Sequence, residues 1–179
     1  WIAITALAAW FGMNDIADAR ASFAAQAAIF KRKHNWLMCV LYLGTFGSFI
    51  GYAAGFPLLI KSQFPNINPL AYAWLGPLVG AVIRPFGGWL ADKLGGARVT
   101  LWNFIVMAIA VVGVTVFLPS GSNEGQFGGF FVCFLVLFLT TGIGNGSTFR
   151  MIPVIFLTEA MRGVDKNNAA AVAQANKEG

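Results

Sequence analysis

Long uncharged runs alternate with short charged connections along this chain. Residues 36–60 and 99–118 carry no Asp, Glu, Lys or Arg, 69–91 carry only Arg84, and 127–158 carry only Arg150. About 20 apolar residues cross a bilayer as a helix, so these four runs read as transmembrane helices. A fifth run, 1–12, is too short alone and reads as the end of a truncated helix. The last run, at roughly 48 Å for about 1.5 Å per residue, exceeds a hydrocarbon core of about 30 Å. It must tilt, bend at Pro153 or project from the membrane. Between the first two runs, Ala19, Phe23, Ala27 and Phe30 recur at helical spacing and predict a short amphipathic helix at the interface.

The connections set an orientation. Arg20, Lys31, Arg32 and Lys33 precede the first full run, Lys93 and Arg98 lie in the second connection on the same side, and Arg162, Lys166 and Lys177 follow the last run. The opposite connections hold Lys61 alone. The positive-inside rule places the nine basic residues in the cytoplasm. That distribution also answers the overall charge: 12 basic against 7 acidic residues would suit a nucleic-acid partner, but the basic residues flank membrane runs instead of forming a polar patch.

Composition excludes other classes. The chain has 179 residues, 58% hydrophobic and 11% charged, with a mean hydropathy of +0.69, against about 25% charged for soluble domains. Cys39 and Cys133 both fall inside apolar runs and read as core residues, not as metal ligands or a disulfide framework. No metal or cofactor is expected. The chain begins at Trp1 within apolar residues and ends at Gly179 in an Ala-rich polar stretch, so it is expected to be an internal fragment without a signal peptide.

Arg84 is the sharpest chemical signal. A charge at mid-depth costs at least about 2.5 to 3.5 kcal/mol on insertion scales and persists where it meets a partner or a wet cavity. No Asp or Glu occurs inside 36–60, 69–90 or 127–158. Either an anion supplies the missing charge during function, or an acid on an absent helix or backbone carbonyls satisfy the guanidinium. Gly76, Gly80, Arg84 and Gly88 recur every four residues, and this stripe either admits another helix or leaves space beside the guanidinium. Pro77 and Pro85 add bends. Tyr42, Phe46 and Phe49 share a face of the first full run, and Gly47, Gly51 and Gly55 form a small-residue stripe. In the last run, Thr141 to Thr148 is polar and glycine-rich at membrane depth, where Gly144, Asn145 and Ser147 offer close packing, local unwinding or hydrogen bonds along a substrate path. It is not a phosphate loop, since no Lys follows the glycines. Arg150 reads as a long side chain snorkelling to headgroups, and His34 as solvated.

The segment Gly88-Trp89-Leu90-Ala91-Asp92-Lys93-Leu94-Gly95-Gly96-Ala97-Arg98 resembles the loop signature of the major facilitator superfamily. With Tyr42 to Gly51, Ile83-Arg84 and Thr141 to Phe149, nearly the whole chain is similar to the nitrate/nitrite porters of that superfamily. The resemblance implies an all-α membrane protein, part of a twelve-helix bundle: the end of the sixth helix (1–12), a cytoplasmic linker between halves (13–35), helices seven to ten (36–60, 69–91, 99–118, 127–158) and a cytoplasmic loop (159–179). The N-terminal half and the last two helices are then the partners missing from this chain. It also implies nitrate and nitrite as substrates, exchanged across the bacterial inner membrane by alternating access. Arg84 would be one of two anion-clamping arginines, with Tyr42 and Phe46 as binding-site aromatics and Gly88, Asp92, Lys93, Gly95 and Arg98 forming a conformational-switch loop. The physics agrees, because a forked guanidinium suits a planar oxyanion. The alternatives are a carrier of another small anion or solute, or a non-transporting membrane anchor of a redox enzyme. The anchor lacks the intramembrane His pairs of haem ligation, and no catalytic cluster suggests an enzyme.

Overall fold

The computed structural model describes residues 2–13, 27–120 and 124–162. Most of the stretch expected to form the amphipathic interfacial helix, and residues 163–179 with Lys166 and Lys177, lie outside the described residues. The chain divides into two compact units, Trp1–Trp36 and Leu37–Gly179.

The first unit contains α1 (Ile2–Gly12), apolar and without a buried residue, and a 3-10 turn at Ala28–Lys31. Trp36 Nε1 donates to Phe30 O at 3.0 Å, which ties the turn to the residues that follow it.

The second unit is built on three helices long and apolar enough to cross a membrane: α2 (Lys33–Gln63, which starts just before the division), α6 (Gly96–Phe117) and α7 (Phe127–Ala160). The run at 69–91 is not one uninterrupted helix. It forms α3 (Pro69–Tyr72), α4 (Leu75–Val82) and α5 (Arg84–Leu94). Asn68 starts it by accepting from the amide of Leu70 at 3.1 Å, with Pro69 at the first position where a missing N–H costs nothing. Pro77 and Pro85 then remove the amides that would bond to Ala73 and Ala81. The backbone stays right-handed across both interruptions, and Leu78→Trp74 and Gly87→Ile83 hydrogen bonds, both 3.1 Å, carry the helix past them. α5 ends at Gly95, whose φ of 88° lies where only glycine is at ease, and α6 begins at once.

Two kinds of packing hold the unit together. At the end carrying the 64–68 turn, rings do the work: Phe56, Phe130 and Phe138 are fully buried, and Phe56 stacks on Phe134 at 4.5 Å between centroids. Aromatic pairs of this geometry add about 0.5–1.5 kcal/mol each beyond area burial. At the end carrying the Gly95 hairpin, backbone meets backbone. A Cβ on Gly87 would overlap the main chain of Ile143, one on Gly142 the main chain of Gly80, and one on Gly146 the carbonyl of Arg84. The stripe Gly80, Arg84, Gly88 thus lies along a matching stripe, Phe138, Gly142, Gly146, on α7, and small residues let the two helices approach. Gly51 and Gly55 on α2 meet nothing within 4 Å, so that stripe is not used inside this unit.

Candidate functional site

Arg84 opens α5 at the second proline interruption, and its guanidinium packs against aromatic rings of α2. The guanidinium carbon lies 5.3 Å from the centroid of Phe46 and 4.7 Å from that of Phe49, within cation–π range. The rings are ordered in turn: Tyr42 stacks on Phe46 at 5.2 Å, and Phe46 on Phe49 at 6.4 Å. The turn that carries Phe46, Leu43–Gly47, is wound as a π-helix. Such segments are rare and concentrate at functional sites. Thr45 within it is fully buried, and its hydroxyl donates to the carbonyls of Leu41 and Tyr42 at 3.1 and 3.3 Å.

A cavity of about 430 Å³ opens beside this stack. Tyr42 lines it from α2, Arg84, Pro85 and Gly88 from α5, and Asn145, Gly146, Phe149 and Arg150 from α7. On two of these lining residues a buried donor has no acceptor among the described residues: Arg84 Nε and Asn145 Nδ2, with Asn145 only 5% exposed. Leaving a buried donor unpaired costs about 1–3 kcal/mol. Both unpaired donors belong to residues of the cavity wall.

At the hairpin end of the cavity, Arg150 Nε donates to Asp92 Oδ1 at 2.7 Å, with side chains 55% and 49% exposed. The sequence expectation for Arg150 was a lone residue reaching for headgroups; the structure instead pairs it across α5 and α7. Gly95 makes the turn, Gly96 packs on the side chain of Met151, and Lys93 and Arg98 are exposed.

The structure thus gathers Arg84, Tyr42, Gly88 and Asn145 on one cavity and places Phe46 on the guanidinium. Gly144 and Ser147 are elsewhere. A Cβ on Gly144 would press on Asn103 and Thr45, and Ser147 is fully buried, 3.0 Å from the hydroxyl of Thr100 and donating to Gly144 O at 3.1 Å. Both belong to the packed contact between α6 and α7, because they lie on the side of α7 turned away from Asn145. Phe49, Phe149 and Arg150 join the site without having been expected there. Phe49 completes the 42, 46, 49 helical series, and Arg150 follows Gly146 by one turn.

A second cavity, about 480 Å³, is lined by Leu90, Leu94, Arg98, Trp102, Val106 and Ile143 among others. It is larger but its walls are mostly apolar. Asn103 Nδ2 there also lacks an acceptor, yet it faces Gly144 between packed helices. Among the described residues, Arg98 is the one cation on the wall of this second cavity, whereas Arg84 and Arg150 both line the other cavity.

The described residues contain no cluster of His, Cys, Asp or Glu able to hold a metal ion. A family model described as Major Facilitator Superfamily matches residues 2–175. The nitrate/nitrite transporter NarU of Salmonella typhimurium is 54% identical over 155 residues, covering 87% of this chain and 33% of that protein. NarU of Escherichia coli matches to the same extent. The probable nitrate/nitrite antiporter NarK2 of Thermus thermophilus is 40% identical over 177 residues, covering 97% of this chain and 40% of that protein. The chain spans about a third of the length of the NarU relatives.

Proposed function

The chain belongs to the Major Facilitator Superfamily, and from that premise we propose that it is part of a transporter that exchanges nitrate and nitrite by alternating access, with Arg84 as an anion ligand. What supports this reading most is the Arg84 guanidinium, set against Phe46 and Phe49 at the wall of a cavity of about 430 Å³ that Asn145 lines from the other helix. Nitrate and nitrite are small, planar and rich in acceptors, so they match a forked guanidinium in shape and charge. The names of the relatives point to the same substrates.

The residues divide the work. Arg84 supplies charge and directed donors. Phe46 and Phe49 fix the guanidinium by cation–π contact and offer an apolar face to the anion. Asn145 donates from α7, and Tyr42 closes the α2 side. Half a pocket, with Arg84 alone lacking a carboxylate partner, leaves charge to be added by the rest of the transporter, and a site emptied of its anion keeps unpaired positive charge, which disfavours return of the empty carrier. Exchange follows from that penalty.

On this reading α1 ends the sixth helix of the whole protein, residues 13–35 link its halves, α2 is the seventh helix, α3 to α5 the eighth, α6 the ninth and α7 the tenth. The hairpin of Asp92, Lys93, Gly95 and Arg98 and the loop from 159 face the cytoplasm of a bacterial inner membrane, as the distribution of Lys and Arg requires. The test is competition in proteoliposomes of the full-length parent. Nitrate and nitrite should each inhibit uptake of the other, while acetate and malonate should not; equal inhibition by the carboxylates would replace this reading with a carrier of other anions.

A further inference from the structure

One cavity holds two guanidiniums of different standing. Arg84 lies among rings with a buried donor unmet, whereas Arg150 lines the same cavity while paired to Asp92. Along α5, Arg84, Gly88 and Asp92 follow at four-residue intervals, each step about 6 Å along the axis. Along α7, Gly146 rests on the carbonyl of Arg84, and Arg150 follows one turn later toward the hairpin. Its head then reaches Asp92. The two cations are therefore stacked along the cavity, with Arg150 on the hairpin side.

The lane between them is open on the α5 wall, since a Cβ on Gly88 would meet nothing nearer than Gly146 O at 3.8 Å. The only bond the described residues make to the guanidinium of Arg150 is the one from Nε to Asp92 Oδ1. Its two terminal nitrogens keep their donors for another acceptor. The pair is half exposed, and exposed pairs are weak, so a small oxyanion can compete with the carboxylate for the fork.

We propose that Arg150 is a second anion subsite, between Arg84 and the hairpin end, where nitrate or nitrite displaces the Asp92 carboxylate. The proposal rests on Arg84 being the principal anion ligand. Asp92 keeps this subsite weak: when the anion moves on, the carboxylate returns and cancels the charge that would otherwise trap it. Two bare arginines in series would bind tightly and release slowly.

The test uses the full-length parent in membrane vesicles of both orientations, with the KM for nitrate measured from each side. Arg150→Gln should raise the KM from the hairpin side about three- to tenfold while changing the opposite KM less than twofold. Asp92→Asn should lower the hairpin-side KM and slow exchange. Opposite signs for the two variants support the subsite. Same-sign changes would show that the pair acts only as a structural or gating bond, and an unchanged hairpin-side KM in either variant would overturn the proposal. If Arg150→Gln fails to fold, Asp92→Asn beside Arg150→Lys decides by the same KM readout. Arg84→Lys is run alongside: full exchange by that variant removes the principal site, whereas impaired exchange with null results at 92 and 150 removes the second subsite alone.

Discussion

Gly146 of α7 rests directly on the backbone carbonyl of Arg84, so closely that a methyl group there would overlap it. The residue that supplies the site's charge is thus positioned by the absence of a side chain on another helix. Gly146→Ala should separate α5 from α7, costing about 1–3 kcal/mol by overpacking, and move the guanidinium. Gly88→Ala, with only a 3.8 Å neighbour, should be tolerated in the fold. Thermal unfolding of the full-length protein in detergent distinguishes them: a clear fall in Tm is expected for Gly146→Ala and little change for Gly88→Ala. Equal falls would contradict the asymmetry.

The rings on Arg84 make a second prediction. Phe49 is the nearer, at 4.7 Å, and such contacts are worth about 0.5–2 kcal/mol. Phe49→Leu keeps apolar bulk but loses the ring face, so the KM for nitrate should rise roughly 2- to 30-fold by that energy. A KM equal to that of the wild type would make the ring a packing element only.

Asn145 is predicted to act as a donor. Replacing it by Asp swaps the unpaired NH₂ for an acceptor and adds negative charge beside an anion path, so Asn145→Asp should abolish nitrate uptake. Asn145→Ala removes one hydrogen bond to a charged ligand, about 1.5–3 kcal/mol, and should raise the KM roughly 10- to 150-fold. Uptake by Asn145→Asp equal to that of Asn145→Ala would mean the amide does not face the anion.

Much of this arrangement is visible in the chain before any coordinates, and the rest is not, for identifiable reasons. The spans at 36–60 and 99–118 are long and uncharged, and 127–158 carries Arg150 alone, so their helices follow from length and solvent alone. The four-residue stripe through Arg84 is visible, and so is the repeat Phe138, Gly142, Gly146; which stripe lies on which is a tertiary fact that neither repeat contains. The prolines at 77 and 85 announce interruptions without fixing that α4 ends at Val82. Arg150 and Asp92 are 58 residues apart, and each taken alone sits near the end of its own span, where solvation is the simplest expectation. Gly144, Asn145 and Ser147 look equivalent in a polar run, but helical rotation sends Asn145 to the cavity and Ser147 to Thr100.

That last division is itself testable. Ser147→Ala should lower stability by about 1 kcal/mol through the lost buried hydrogen bond to Thr100 while leaving the KM for nitrate unchanged. A raised KM with unchanged Tm would return Ser147 to the anion path.

On the proposed function, Arg84 binds the transported anion through its fork as well as its charge. That role is tested most directly by nitrate/nitrite exchange in proteoliposomes of the full-length parent, wild type beside Arg84→Lys, at matched folded protein. Lys keeps the charge and loses the planar pair of donors. A folded Arg84→Lys protein should lose most exchange, and exchange at the wild-type rate and KM would mean that Arg84 does not hold the anion.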